Sequence, residues 1–136
     1  MAKKILLIDD DPDILDAITV ILESQDYQVV TARDGIEGLA NLKAENPDLM
    51  IMDLLMPKMD GFAMMIELQD ERWSQFRNIP IMVLSSVREE ASRRRYELET
   101  ALTEFCVDDY LEKPISPDIL LERVEQLLKK KGTARS

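Results

Sequence analysis

Five short apolar runs, each halted by polar residues, are the feature that most constrains how this chain can fold. Ile5 to Ile8 stops at Asp9, Asp10 and Asp11. Val29 and Val30 lie in a second run ending near Ala32. Leu49 to Met52 stops at Asp53, and Ile81 to Leu84 stops at Ser85 and Ser86. Tyr110 and Leu111 mark a shorter fifth run. Runs that are apolar throughout, rather than at alternate positions, predict strands covered on both faces, as in a parallel sheet.

The segments between these runs carry helical period. Ile14, Ile18 and Leu22 recur four residues apart, with Leu15 and Ile21 widening the stripe, and Leu120, Val124, Leu127 and Leu128 repeat the pattern near the end. Asp11-Pro12 and Ser116-Pro117 each put a capping oxygen before a proline suited to the first helical position. Asp34 followed by Glu37 reads as a capping box. Repeated βα units predict an α/β fold, an open sheet with helices on both faces. The polar stretch Gln69 to Asn78, with Trp73 and Phe76, is expected to end the third helix in a loop. Arg88 to Glu104 is expected to form a fourth helix, with Arg93, Arg94 and Arg95 on its exposed side. One domain is expected over residues 3–130, with 131–136 a frayed tail.

Composition removes several chemistries. Lys and Arg number 17 against 27 Asp and Glu, a formal charge of -10, so the field repels nucleic acid and direct binding to it is not expected. There is no histidine, which excludes Ser-His-Asp and Cys-His catalysis and any phosphohistidine step within the chain. Cys106 is the single cysteine, so no intramolecular disulfide forms, and the residue reads as a small buried hydrophobe. No apolar run approaches the ~20 residues needed to span a bilayer, and the start has no signal-peptide pattern, so a cytoplasmic protein without membrane contact is expected.

In open α/β sheets ligands bind outside the carboxyl ends of the strands. Asp9, Asp10, Asp53, Ser85 and Lys113 all follow or end apolar runs, so parallel strands would bring them to one edge. Carboxylates gathered there repel unless a cation sits among them. An all-oxygen donor set favours Mg²⁺ over Zn²⁺. A lysine and a hydroxyl facing that ion suit a tetrahedral oxyanion. The residues alone thus point to Mg²⁺-assisted phosphate chemistry.

Four segments, KILLIDDDPDIL, MIMDLLMPKMDG, PIMVLSS and DDYLEKPIS, resemble in order and spacing the response-regulator receiver domain of two-component signalling, of the chemotaxis-regulator type. The likeness covers Lys3 to Lys130. It implies a flavodoxin-like doubly wound sheet of order 2-1-3-4-5. It also implies a regulatory rather than enzymatic protein, which takes a phosphoryl group from a histidine kinase or phosphotransfer protein in a phosphorelay. Asp53 would be the phosphoacceptor. Asp10 and Asp53 would hold Mg²⁺ with the Leu55 backbone carbonyl, and Asp9 would assist. Ser85 and Lys113 would bind the phosphoryl group. Ser85 and Tyr110 would form the switch, and Lys113-Pro114 would be cis. A downstream protein would dock on the face made by the fourth helix, fifth strand and last helix. This chain departs from the family pattern in Cys106-Val107, where small residues are usual, in the greater length from Ser85 to Lys113, and in serine at 85 where threonine is frequent.

Three other readings of the same residues fit less well. An EF-hand starting at Asp9 fails, because Ile14 and Val20 stand where glycine and glutamate are required. A Mg²⁺-dependent phosphatase of the haloacid-dehalogenase type would use Asp9 as nucleophile, but Asp13 replaces the threonine or valine of that pattern. A receiver-shaped scaffold that is never phosphorylated is the third possibility, and no residue in the sequence favours it. Asp11 is assigned to capping the first helix.

Overall fold

The computed structural model describes residues 2–53, 59, 61–85 and 107–130, with Phe62, Ser85 and Lys130 described by their backbone. The strands are β1 (Lys4–Ile8), β2 (Gln28–Ala32), β3 (Leu49–Asp53), β4 (Ile81–Ser85) and β5 (Asp109–Glu112). The described helices are α1 (Pro12–Glu23), α2 (Gly35–Glu45), α3 (Gly61–Glu67) and the C-terminal helix α4 (Pro117–Lys130). The expected helix at Arg88 to Glu104, its arginines, Cys106 and the tail lie outside the described residues.

All neighbouring strands are parallel, in the order β2-β1-β3-β4-β5. Successive side chains in a strand point to opposite faces, so an unbroken apolar run supplies two cores at once. Leu6, Ile8, Met50, Met52, Ile81 and Val83 meet Leu39 and Leu42 of α2 and Met64 and Met65 of α3. Ile5, Leu7, Leu49, Ile51, Met82 and Leu84 meet Leu15, Ile18 and Leu22 of α1 and Leu120, Val124 and Leu127 of α4. Each such side chain removed from water contributes ~1.5–3 kcal/mol relative to exposure, which fixes the helices to their faces.

Local signals in the sequence set the helix starts. Asp11 Oδ1 accepts from the Asp13 N–H at 2.9 Å, with Pro12 in the first turn of α1. Asp34 Oδ1 accepts from the Glu37 N–H at 2.8 Å, and the Glu37 side chain accepts from the Arg33 N–H, also at 2.8 Å. α2 ends on Asn46 in the left-handed region, φ 46°, where asparagine is tolerated.

Beyond α3 the expectation of a loop needs correction. Residues Glu71–Phe76 form a 3₁₀ helix. Asp70 caps it by accepting from the Arg72 N–H at 2.9 Å, Trp73 Nε1 donates to Glu67 at 2.8 Å, and Phe76 is buried in the core. The polar composition that suggested an open loop instead supplies caps and tethers around one apolar anchor.

Candidate functional site

Because every strand runs the same way, the residues that follow β1, end β3 and follow β5 share one edge. Strand pairing sets their alignment. Ile8 stands opposite Met52, so Asp9 leaves β1 beside Asp53, and Asp53 is in register with Leu84. Ser85 is in register with Glu112, one residue before Lys113. The backbone thus places Ser85 at the same edge. Its side chain, Leu55 and Ser86 lie outside what is described.

Lys113 binds two carboxylates. Its Nζ lies 3.0 Å from Asp9 Oδ2 and 3.2 Å from Asp53 Oδ2. Asp9 is fully buried and Asp53 nearly so, whereas Asp10 is exposed. The other Asp9 oxygen, Oδ1, accepts from the Asp11 N–H at 3.0 Å. Among the described residues, Asp9, Asp10 and Asp53 each present an oxygen, all within 4.8 Å of one another. The Lys113–Pro114 peptide bond is cis.

Burial pushes the Asp9 carboxyl above its ordinary pKa, against the opposing pull of the Asp11 N–H and the Lys113 charge. Burial also works against the charge of Lys113, but the Asp53 and Asp9 carboxylates outweigh it and hold the ammonium above its ordinary pKa. The site therefore attracts positive charge strongly enough to keep one cation half-buried there. Its donors fit Mg²⁺: they are all oxygen, one is solvent-exposed, and so room remains for ligands from solvent.

Tyr110 lies on β5 opposite Val83, half-buried against the core face shared with α2 and α3. At the far end of β5, Asp109 pairs with Arg123 of α4 at 2.8 Å, and Asp108 Oδ2 accepts from the Ile81 N–H at 2.8 Å. Residue types alone do not single out these two acids. A further contact joins distant segments: the Gly35 N–H donates to the Met59 carbonyl at 2.7 Å. The Asp34 and Glu37 pair marked the cap beside it, but a backbone bond between distant segments has no signature in residue types.

Fold and site together define a class. The chain matches the family model of the response regulator receiver domain over residues 5–125, and it belongs to that family. It is 38% identical over 128 residues to the protein described as "Probable transcriptional regulator ycf27" of Cyanophora paradoxa, covering 94% of this chain and 49% of that one. It is 34% identical to the alkaline phosphatase synthesis transcriptional regulatory protein PhoP of Bacillus subtilis, covering 98% of this chain and 52% of PhoP. The chain thus spans about half the length of these relatives. Among solved structures, a CheY-like response regulator receiver domain protein from Methanospirillum hungatei superposes with a TM-score of 0.81 at 30% identity, covering 96% of this chain and 97% of that one. Among the described residues, no helix is long and apolar enough to cross a membrane.

Proposed function

We propose that the receiver unit, residues 3–130, is a phospho-accepting switch in a two-component phosphorelay, with Asp53 as acceptor. The observation that carries this is the convergence of Asp9, Asp10, Asp53 and Lys113 at one strand edge. An Asp53 carboxylate oxygen forms a bond to phosphorus, while the bond from phosphorus to the imidazole nitrogen of a kinase or phosphotransfer protein breaks. The product is an acyl phosphate and a free histidine on the donor. Asp10 and Asp53, with the Leu55 carbonyl, would hold Mg²⁺, and Asp9 would assist. The ion would supply charge neutralisation for the phosphoryl oxygens.

Lys113 holds Asp53 in place before transfer and is close enough to pair with a phosphoryl oxygen afterwards. Ser85 ends the adjacent strand and would donate its hydroxyl to another. Asp53 is favoured over Asp9 as nucleophile because Asp9 has no solvent exposure, whereas Asp53 keeps some. That difference counts against the phosphatase reading.

The output is protein docking, in the cytoplasm, at the face that includes β5 and α4. Tyr110 is the group that would move when Ser85 binds phosphate. A pull-down with beryllofluoride, which mimics the phosphorylated state, tests this reading. A partner should be retained only with the mimic, and Tyr110→Ala should lose it. Equal capture with and without the mimic would contradict a phosphate-dependent output.

A further inference from the structure

We infer that the capped N-terminus of α2 braces the acidic site, and that Gly35 is a positioning residue for it. The inference rests on the Mg²⁺ and Asp53 reading above and goes beyond it, since neither α2 nor Gly35 supplies a group to that chemistry. Two backbone hydrogen bonds carry it. The Asp9 N–H donates to the Ala32 carbonyl at 3.1 Å, and the Gly35 N–H donates to the Met59 carbonyl at 2.7 Å. Residues 32–35 therefore tie the turn bearing Asp9 and Asp10 to Met59, six positions after Asp53 in the sequence.

This stitch is itself fixed. Asp34 caps α2 through the Glu37 N–H, and the Glu37 carboxylate accepts from the Arg33 N–H. Four consecutive positions, 32 to 35, are thus held either by their backbone or by a capping side chain, and little freedom remains between Asp9 and Met59.

Only glycine permits the closing contact. A Cβ at Gly35 would lie 2.6 Å from both the Met59 carbonyl oxygen and Met59 Cγ, and 3.0 Å from Met59 Cβ. The oxygen belongs to the backbone, so a side chain at 35 must displace either Met59 or the start of α2. A shift of the start of α2 is passed back along residues 34 and 33 to Ala32, whose carbonyl accepts from the Asp9 N–H, and so to the turn that carries Asp9 and Asp10. Gly38, one turn along, is also tight, but a Cβ there meets Ile8 Cδ1 at 2.7 Å and Met64 Cε at 3.3 Å. Those are the ends of core side chains, so crowding at 38 strains the core and leaves Met59 in place.

The two glycines provide the test. Mg²⁺ affinity is measured by calorimetry on the full chain and on Gly35→Ala and Gly38→Ala, with the melting temperature of each. Both variants should melt lower, but only Gly35→Ala should bind Mg²⁺ more weakly, by about tenfold or more, as when supporting groups around a metal site are disturbed. Wild-type affinity in folded Gly35→Ala overturns the brace, and so does an equal loss in Gly38→Ala. A second measurement needs no variant. If the brace and the site are coupled, Mg²⁺ must strengthen the brace by the same free energy. Amide exchange at Gly35 in the wild-type protein should therefore slow at saturating Mg²⁺, and an unchanged rate contradicts the inference even if Gly35→Ala does not fold. Failure of the wild-type protein to bind Mg²⁺ at all would instead overturn the metal reading beneath it, and the brace with it.

Discussion

Lys113 Nζ lies 3.0 Å from Oδ2 of Asp9, a carboxylate with no solvent exposure, although 104 positions separate the two residues. A half-buried ammonium thus neutralises a buried acid at the edge where Asp10 and Asp53 also gather. Removing one partner of such a pair leaves the other uncompensated, at a cost of ~3–5 kcal/mol when both are deeply buried. Lys113 retains some solvent contact, so Lys113→Met should cost about 2 kcal/mol in urea denaturation of metal-free protein. In the Asp9→Asn background the same change should cost less, because the stranded charge is gone. Equal costs in the two backgrounds would show that the pair is not coupled.

The raised pKa of Lys113 gives an alkaline signature. A lysine whose folded pKa lies above its unfolded value contributes stability that is complete below 10.5 and is lost as pH rises through the folded value. Wild-type stability should therefore fall more steeply than that of Lys113→Met at alkaline pH, and the two curves should converge. Parallel curves in chemical denaturation would remove Lys113 from the stability of the metal-free site.

Asp9 behaves oppositely to a stabilising carboxylate. Burial raises its pKa in the fold, so its contribution is favourable at acid pH, below the ordinary value of 3.8, and is lost as pH rises through the folded value. At neutral pH the ionised group is a cost to metal-free protein. Asp9→Asn removes the buried charge and keeps one of the two acceptor oxygens, so in a chelator it should melt higher than the wild type at neutral pH. The difference should shrink on acidification. A lower melting temperature for Asp9→Asn at neutral pH would mean that the Lys113 attraction outweighs burial.

Mg²⁺ should stabilise the native state through Asp10, which is the exposed acid of the group. A ligand that binds only the folded form adds RT ln(1 + [L]/Kd), so tenfold excess over Kd gives about 1.4 kcal/mol. Asp10→Ala should abolish that increment in thermal melts while leaving the metal-free protein folded. A full Mg²⁺ shift in Asp10→Ala would place the ion elsewhere.

Much of the architecture was legible because a two-sided sheet requires unbroken apolar runs. Ile5 to Ile8, Leu49 to Met52 and Ile81 to Leu84 are strands where the runs stand. Asp11 and Asp34 cap helices as their spacing indicated. Strand order was a different matter: periodicity is the same for any order, and 2-1-3-4-5 came from family resemblance alone. The 3₁₀ helix at Glu71–Phe76 was missed because its stability comes from the Asp70 cap and the Trp73–Glu67 bond rather than from an apolar stripe. At the site, residue types identified Asp9, Asp10, Asp53 and Lys113 as neighbours. They did not reveal that Lys113 grips Asp9 as closely as Asp53, because the choice of partner depends on distances set by tertiary packing. The Gly35–Met59 contact was invisible for the same reason.

Phosphorylation of Asp53 is the central claim, and intact-mass measurement tests it most directly. The chain is incubated with Mg²⁺ and acetyl phosphate, alongside Asp53→Asn. The wild-type protein should gain one phosphoryl mass, which proteolytic mapping after borohydride trapping places at Asp53, and Asp53→Asn should gain none. Equal labelling of Asp53→Asn, or a trapped label at Asp9, would contradict it.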